Sequence, residues 1–77
     1  MMIALEIDSE IHLYKYDLRR IKNPPVFLNK VRTQGEFRYL LFLKDNLFGV
    51  FYSDHLQIFQ IEDTMIRQIF NKSYGVS

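Results

Sequence analysis

The chain has no cysteine and no tryptophan, and only three glycines and two prolines. Without cysteine no disulfide can form and no thiolate can hold a metal. Two histidines are too few for the usual structural zinc site. The glycines stand apart at 35, 49 and 75, so no glycine-rich phosphate loop exists. No window approaches the roughly eighteen apolar residues of a membrane-crossing helix. The opening MMIALEIDSE has neither a basic start nor a long apolar stretch, and it does not read as a signal peptide. The expectation is therefore a cytoplasmic protein with no metal, no small-molecule cofactor and no membrane contact. An excess of either charge is also missing, since ten bases meet nine acids for a net of +1.

What is present is apolar. Hydrophobic residues make up 48% of the chain, with seven Phe and five Tyr. Its 77 residues are expected to form one domain, 1–77. A domain this small buries only about 60% of its unfolded surface. It must therefore rely on an apolar-rich core, on self-association, or on both. The wealth of Ile, Phe, Tyr, Asn and Lys matches AT-rich codons and is compatible with a phage or a low-GC bacterium.

Residues 37–61 read as a three-stranded antiparallel meander, with strands near 37–44, 47–52 and 56–61 separated by short polar turns. Asp45-Asn46 suits a two-residue hairpin loop, because both residue types tolerate positive φ. With Lys44 opposite Leu47 and Ser53 opposite Leu56, period two puts Phe37, Tyr39, Leu41, Leu43, Phe48, Val50, Tyr52, Phe59 and Ile61 on one face. That face is expected to be the core. The other carries Leu40, Phe42, Leu47, Phe51, Leu56 and Ile58, too apolar for the wetted side of an antiparallel sheet. Gly49 is expected opposite Phe42, leaving room for a ring to lie across the strand.

Residues 63–72 read as a C-terminal helix. Asp63 or Thr64 caps it, Met65, Ile66, Ile69 and Phe70 form its apolar stripe, and Gly75 stops it. Ile3–Ile7 alternates as a strand. Residues 11–16 fit either its hairpin partner or, with Tyr14, Leu18 and Ile21, a helix; the hairpin is favoured because Tyr and Ile prefer strands. The expected fold class is thus α+β: a four- to five-stranded antiparallel sheet with a helix on one face.

Charge is unevenly spread. Residues 15–32 hold Lys15, Arg19, Arg20, Lys22, Lys30 and Arg32 against Asp17 alone. Tyr14, Tyr16 and Phe27 interleave with them. Bases with aromatics suit phosphate neutralisation and base stacking. A solvated loop or an acidic protein partner fits the same residues, and the near-zero net charge counts against nucleic acid. No catalytic residue is singled out. Ser53, Asp54 and His55 form a turn, and His12 beside Glu10 fits a surface histidine. An enzyme would need one of these histidines in a pocket beside a carboxylate or hydroxyl.

The favoured expectation is a small non-enzymatic protein-binding module: an adaptor, an inhibitor, or an immunity or antitoxin-like protein. It would act through an apolar sheet face or edge, as a homodimer, with Leu40, Phe42, Leu47, Phe51 and Ile58 at the interface. The alternative is nucleic-acid binding through Tyr14, Lys15, Tyr16, Arg19, Arg20, Lys22, Lys30 and Arg32.

Overall fold

A computed structural model describes residues 1–74 and shows seven antiparallel strands and no helix. They are β1 (Met2–Ile7), β2 (Glu10–Lys15), β3 (Val26–Arg32), β4 (Phe37–Lys44), β5 (Leu47–Tyr52), β6 (His55–Glu62) and β7 (Met65–Ser73). Sheet A has the order β1-β2-β3 and sheet B the order β4-β5-β6-β7. The class is all-β, and the expected α+β arrangement is overturned. No helix among the described residues is long and apolar enough to cross a membrane.

The hairpin turns follow local chemistry. Asp8 and Ser9 both have positive φ, at 51° and 64°, and close β1 on β2 between Ile7 and Glu10. Two such residues match the right-handed twist of the flanking strands. Asp63, at φ 57°, begins the β6–β7 turn. Asp45 and Asn46 do not use positive φ. A two-residue loop of that kind matches the strand twist poorly, and the ladder shifts beside it, between Phe42 and Lys44.

The expected helix at 63–72 is strand β7. The helix-like spacing of Met65, Ile66, Ile69 and Phe70 arises from period two interrupted by one extra residue. Ile66 pairs with Ile61 and Gln68 with Phe59; then the ladder shifts and Phe70 pairs with Ile58. A bulge of this kind puts two residues opposite one. Pairing also satisfies the backbone of eight-residue β6, which a helix would have left as an open edge. Gly75, expected to stop the helix, lies outside the described residues.

The core lies between the sheets. Sheet A contributes Ile11 and Leu13, and sheet B contributes Phe48, Val50, Tyr52, Phe59 and Ile61. Sheet A thus takes the place expected for the helix. The strand faces of β5 and β6 are as the alternation predicted. Leu56 pairs with Phe51, not Ser53; a shift of two residues leaves every side chain on its own face. In β4 the faces are reversed from Tyr39 to Leu43, while a second shift between Phe37 and Tyr39 leaves Phe37 on the core side as expected. Leu40 pairs with Val50 and Phe42 with Phe48, and both pack inward against the core with Phe37. Tyr39, Leu41 and Leu43 are exposed instead.

One fully buried polar side chain, Gln57, sits among these apolar groups. Its Oε1 accepts from the Tyr52 hydroxyl at 2.5 Å, and its Nε2 donates to Gln34 and Gln68 at 3.0 and 2.7 Å. The Gln34 backbone N–H donates to the Tyr52 hydroxyl at 3.0 Å. This network fixes the connection between the sheets. No buried side-chain polar atom among the described residues lacks a partner.

Candidate binding faces

The outer face of sheet B carries an apolar field on all four strands. Pairing places Leu41 beside Gly49, Gly49 beside Ile58 and Ile58 beside Phe70 in one cross-strand row. In the next row Tyr39, Phe51 and Leu56 lie side by side, ending at Lys72. Tyr39 is 55% exposed, Leu41 51% and Phe70 42%. Tyr39 and Phe51 stack with centroids 4.5 Å apart and planes 9° from parallel. The Phe51 ring folds back over Gly49, where an added Cβ would stand 3.1 Å from its Cε1. Gly49 thus makes room for a ring, as expected, but opposite Leu41 and for a neighbour in its own strand. Of the expected interface residues, Leu47, Phe51 and Ile58 lie on this outer face. Leu40 and Phe42 do not, because of the bulge in β4, and Tyr39 and Leu41 stand there instead.

The outer face of sheet A is aromatic and charged. Tyr14 pairs across strands with Phe27, and their rings meet edge-on at 5.7 Å. His12 lies 5.7 Å from Phe27 and 6.5 Å from Tyr14. Lys30 pairs with His12 and Arg32 with Glu10, so both bases run along β3 on this side. A shift between Leu13 and Tyr14 keeps Phe27 on the same side by turning Leu28 inward. Of the expected basic set, Tyr14, Lys30 and Arg32 share this face. Lys15 points to the opposite side by alternation. Tyr16, Arg19, Arg20 and Lys22 belong to the β2–β3 loop, where the Tyr16 hydroxyl donates to the Ile21 carbonyl at 2.7 Å. Phe27, named with the aromatics of this segment, also stands here; His12 was not singled out for this site, and its alternation with Tyr14 was the available signal.

Neither histidine stands in a complete catalytic arrangement. His55 Nδ1 lies 2.6 Å from Asp54 Oδ1, and its ring stacks on Tyr52 at 4.2 Å. This pair supplies a base and its orienter, but no hydroxyl is hydrogen-bonded to the ring among the described residues. His12 Nε2 lies 3.3 Å from Glu10 Oε1, and Lys30 Nζ lies 3.2 Å from Glu10 Oε2. No cluster of three or more metal-ligating side chains occurs among the described residues.

These carboxylates set an acid-side dependence. Hydrogen bonds from Lys30 and then His12 hold Glu10 below the ordinary carboxylate range. His55 does the same for Asp54. A depressed folded-state value gives stability that is full above the unfolded value and lost as pH falls through the folded one. Urea midpoints are therefore expected to fall as pH is lowered below the ordinary carboxylate value. Glu10→Gln should flatten that slope; an unchanged slope would show that the Lys30 and His12 contacts contribute nothing.

These features define a seven-stranded antiparallel β-sandwich with two uncovered outer faces. Comparison with protein-family models, curated proteins and solved structures finds no match.

Proposed function

We propose that the protein is a non-enzymatic protein-binding module whose sheet B outer face docks a second copy of the chain. The observation that carries this is the uncovered apolar field of Tyr39, Leu41, Phe51, Ile58 and Phe70. Strands about 4.8 Å apart rising about 3.4 Å per residue give four strands a plan area of about 300 Å² over five residues. Patches of about that size or more on a monomer are often functional. A stable pair buries about 800 Å² per partner, arranged as an apolar centre with a polar rim. The field supplies the centre. Gln60, Glu62, Arg67 and Lys72 supply a rim, with Arg67 donating to Gln60 at 3.0 Å and to Glu62 at 2.7 Å.

A copy fits better than an unrelated partner for two reasons. A flat pleated face is complemented by another sheet about 10 Å away, as sheet A already complements the inner side. The charges of this face lie at its rim, so the apolar centres of two copies meet with little repulsion across a two-fold axis. A chain free of cysteine needs no oxidising compartment, which fits the cytoplasmic setting expected for it.

Sedimentation equilibrium tests the proposal. The natural chain is expected to dimerise. Leu41→Lys and Phe70→Lys, both at exposed positions, should stay folded by circular dichroism. Each should weaken the dimer about 100-fold or more, since like charges meeting across an interface cost several kcal/mol. A natural chain that remains monomeric at every concentration, or variants that dimerise as well as it does, would overturn the reading.

A further inference from the structure

We propose that the outer face of sheet A, separate from the dimer face, binds single-stranded nucleic acid by ring stacking and phosphate contact. Three observations converge on this face. First, Tyr14, Phe27 and His12 form one cluster across β2 and β3 with centroids 5.7–6.5 Å apart. Phe27 is 49% exposed. A ring of this kind stacks on any base, because every base presents a π-face.

Second, cations border the rings on two sides. Lys30 and Arg32 follow Phe27 along the β3 edge. Lys22 stands beyond the other end, in the loop that lines a hollow with Ile3, Tyr16 and Pro25. The face carries one carboxylate among these groups, Glu10, and it is already engaged by Lys30 and His12. The remaining acids of the N-terminal segment, Glu6 and Asp8, lie at the turn end, away from Tyr14 and Phe27.

Third, an apolar hollow of about 170 Å³ opens beside Tyr14, between Ile3, Leu5 and Pro25. Water fills about 30 Å³ per molecule in the liquid, so the hollow takes a group several times larger. A planar base fits that description better than an ion does. A run of acidic residues alone would satisfy the lysines and arginine but would leave the rings and the hollow unused. A duplex keeps its bases stacked inside and cannot use the rings either. The charge and the rings together therefore select an unpaired strand.

Fluorescence anisotropy with labelled oligo-dT and oligo-U tests the proposal on the intact chain. With Lys30 held by Glu10, contacts from Lys22 and Arg32 release about two counterions, so log K should fall with log salt at a slope of about −1.4 for a single strand. Tyr14→Ala and Phe27→Ala should each weaken binding about 5- to 150-fold. Phe27→Tyr, which keeps the ring, should bind within a few-fold of the natural chain and so separates stacking from folding. Binding that ignores salt, equal affinity for a duplex, equal competition by poly-glutamate, or Ala variants that bind unchanged would each overturn it.

Discussion

Phe48→Ala is expected to lower stability by about 3–5 kcal/mol, the usual cost of emptying a phenylalanine site in a core. Phe48 is fully buried at the centre of sheet B. Its ring lies 5.3 Å from Phe59 and 5.5 Å from Phe42, the two residues it pairs with on the neighbouring strands. Removing it opens a gap that three strands share and that sheet A cannot fill without losing contact elsewhere. Domains hold only about 0.05–0.15 kcal/mol per residue, about 4–12 kcal/mol for 77 residues, so the loss is a large share of the whole stability. In thermal terms it is a fall of about 12–40 °C. Phe48→Leu, which retains most of the volume, should cost much less. Urea denaturation followed by circular dichroism decides it. An alanine variant within about 1 kcal/mol of the natural chain would mean that the two sheets do not share a core at this residue.

The sequence made the middle of the molecule legible because β5 and β6 alternate without interruption, and tight turns bound them. It misled wherever a bulge broke the period. In β4 the shift between Phe42 and Lys44 exchanged the two faces, so Leu40 and Phe42 went inward and Tyr39 and Leu41 outward. In β7 the shift opposite Ile58 and Phe59 turned a strand pattern into one that reads as a helical stripe. A bulge costs one residue and leaves no composition signal of its own. The candidate faces suffered in the same measure. Leu47, Phe51 and Ile58 could be placed because β5 and β6 are regular. Phe27 was named with the basic segment, but the face it takes was hidden by the shift beside Tyr14, which breaks the alternation of β3.

The two outer faces are unlike in chemistry, and that difference gives the proposals their division of labour. Sheet B offers aliphatic and stacked aromatic surface with a thin polar rim. Sheet A offers separated rings flanked by cations. A face with an apolar centre gains most by excluding water against another apolar surface. A face with fixed cations gains most by displacing ions from a polyanion. A dimer through sheet B would leave both copies of sheet A facing outward. Two linked sites bind one long strand more tightly than either alone, so a variant that breaks the dimer should also weaken binding to a long oligonucleotide while leaving a short one unaffected.

Gln57→Leu is expected to destabilise the fold although it replaces a polar group with an apolar one of similar size. Leucine is otherwise welcome on this face, beside Val50 and Phe59. The penalty falls on Tyr52, which is also buried. Its hydroxyl donates to Gln57 and accepts from the backbone N–H of Gln34. Losing the acceptor leaves a buried O–H donor unpaired, at about 1–3 kcal/mol. Gln34 and Gln68 are exposed residues and can turn to water, so they add little. Tyr52→Phe removes the hydroxyl and orphans the Gln57 carbonyl and the Gln34 N–H, with a cost of the same order. The double variant removes donor and acceptor together. Its loss should therefore be smaller than the two single losses combined, with a coupling of about 0.5–3 kcal/mol. Alkaline titration gives a second reading of the same site. Burial pushes the Tyr52 phenol above its ordinary value, outweighing the Gln34 contact. The stability it confers is complete below the unfolded value and is lost as pH rises through the folded one. Tyr52→Phe should lack that alkaline loss. Strict additivity in the double variant would show that Tyr52 and Gln57 do not act as a pair, and that the link between the two sheets is held elsewhere.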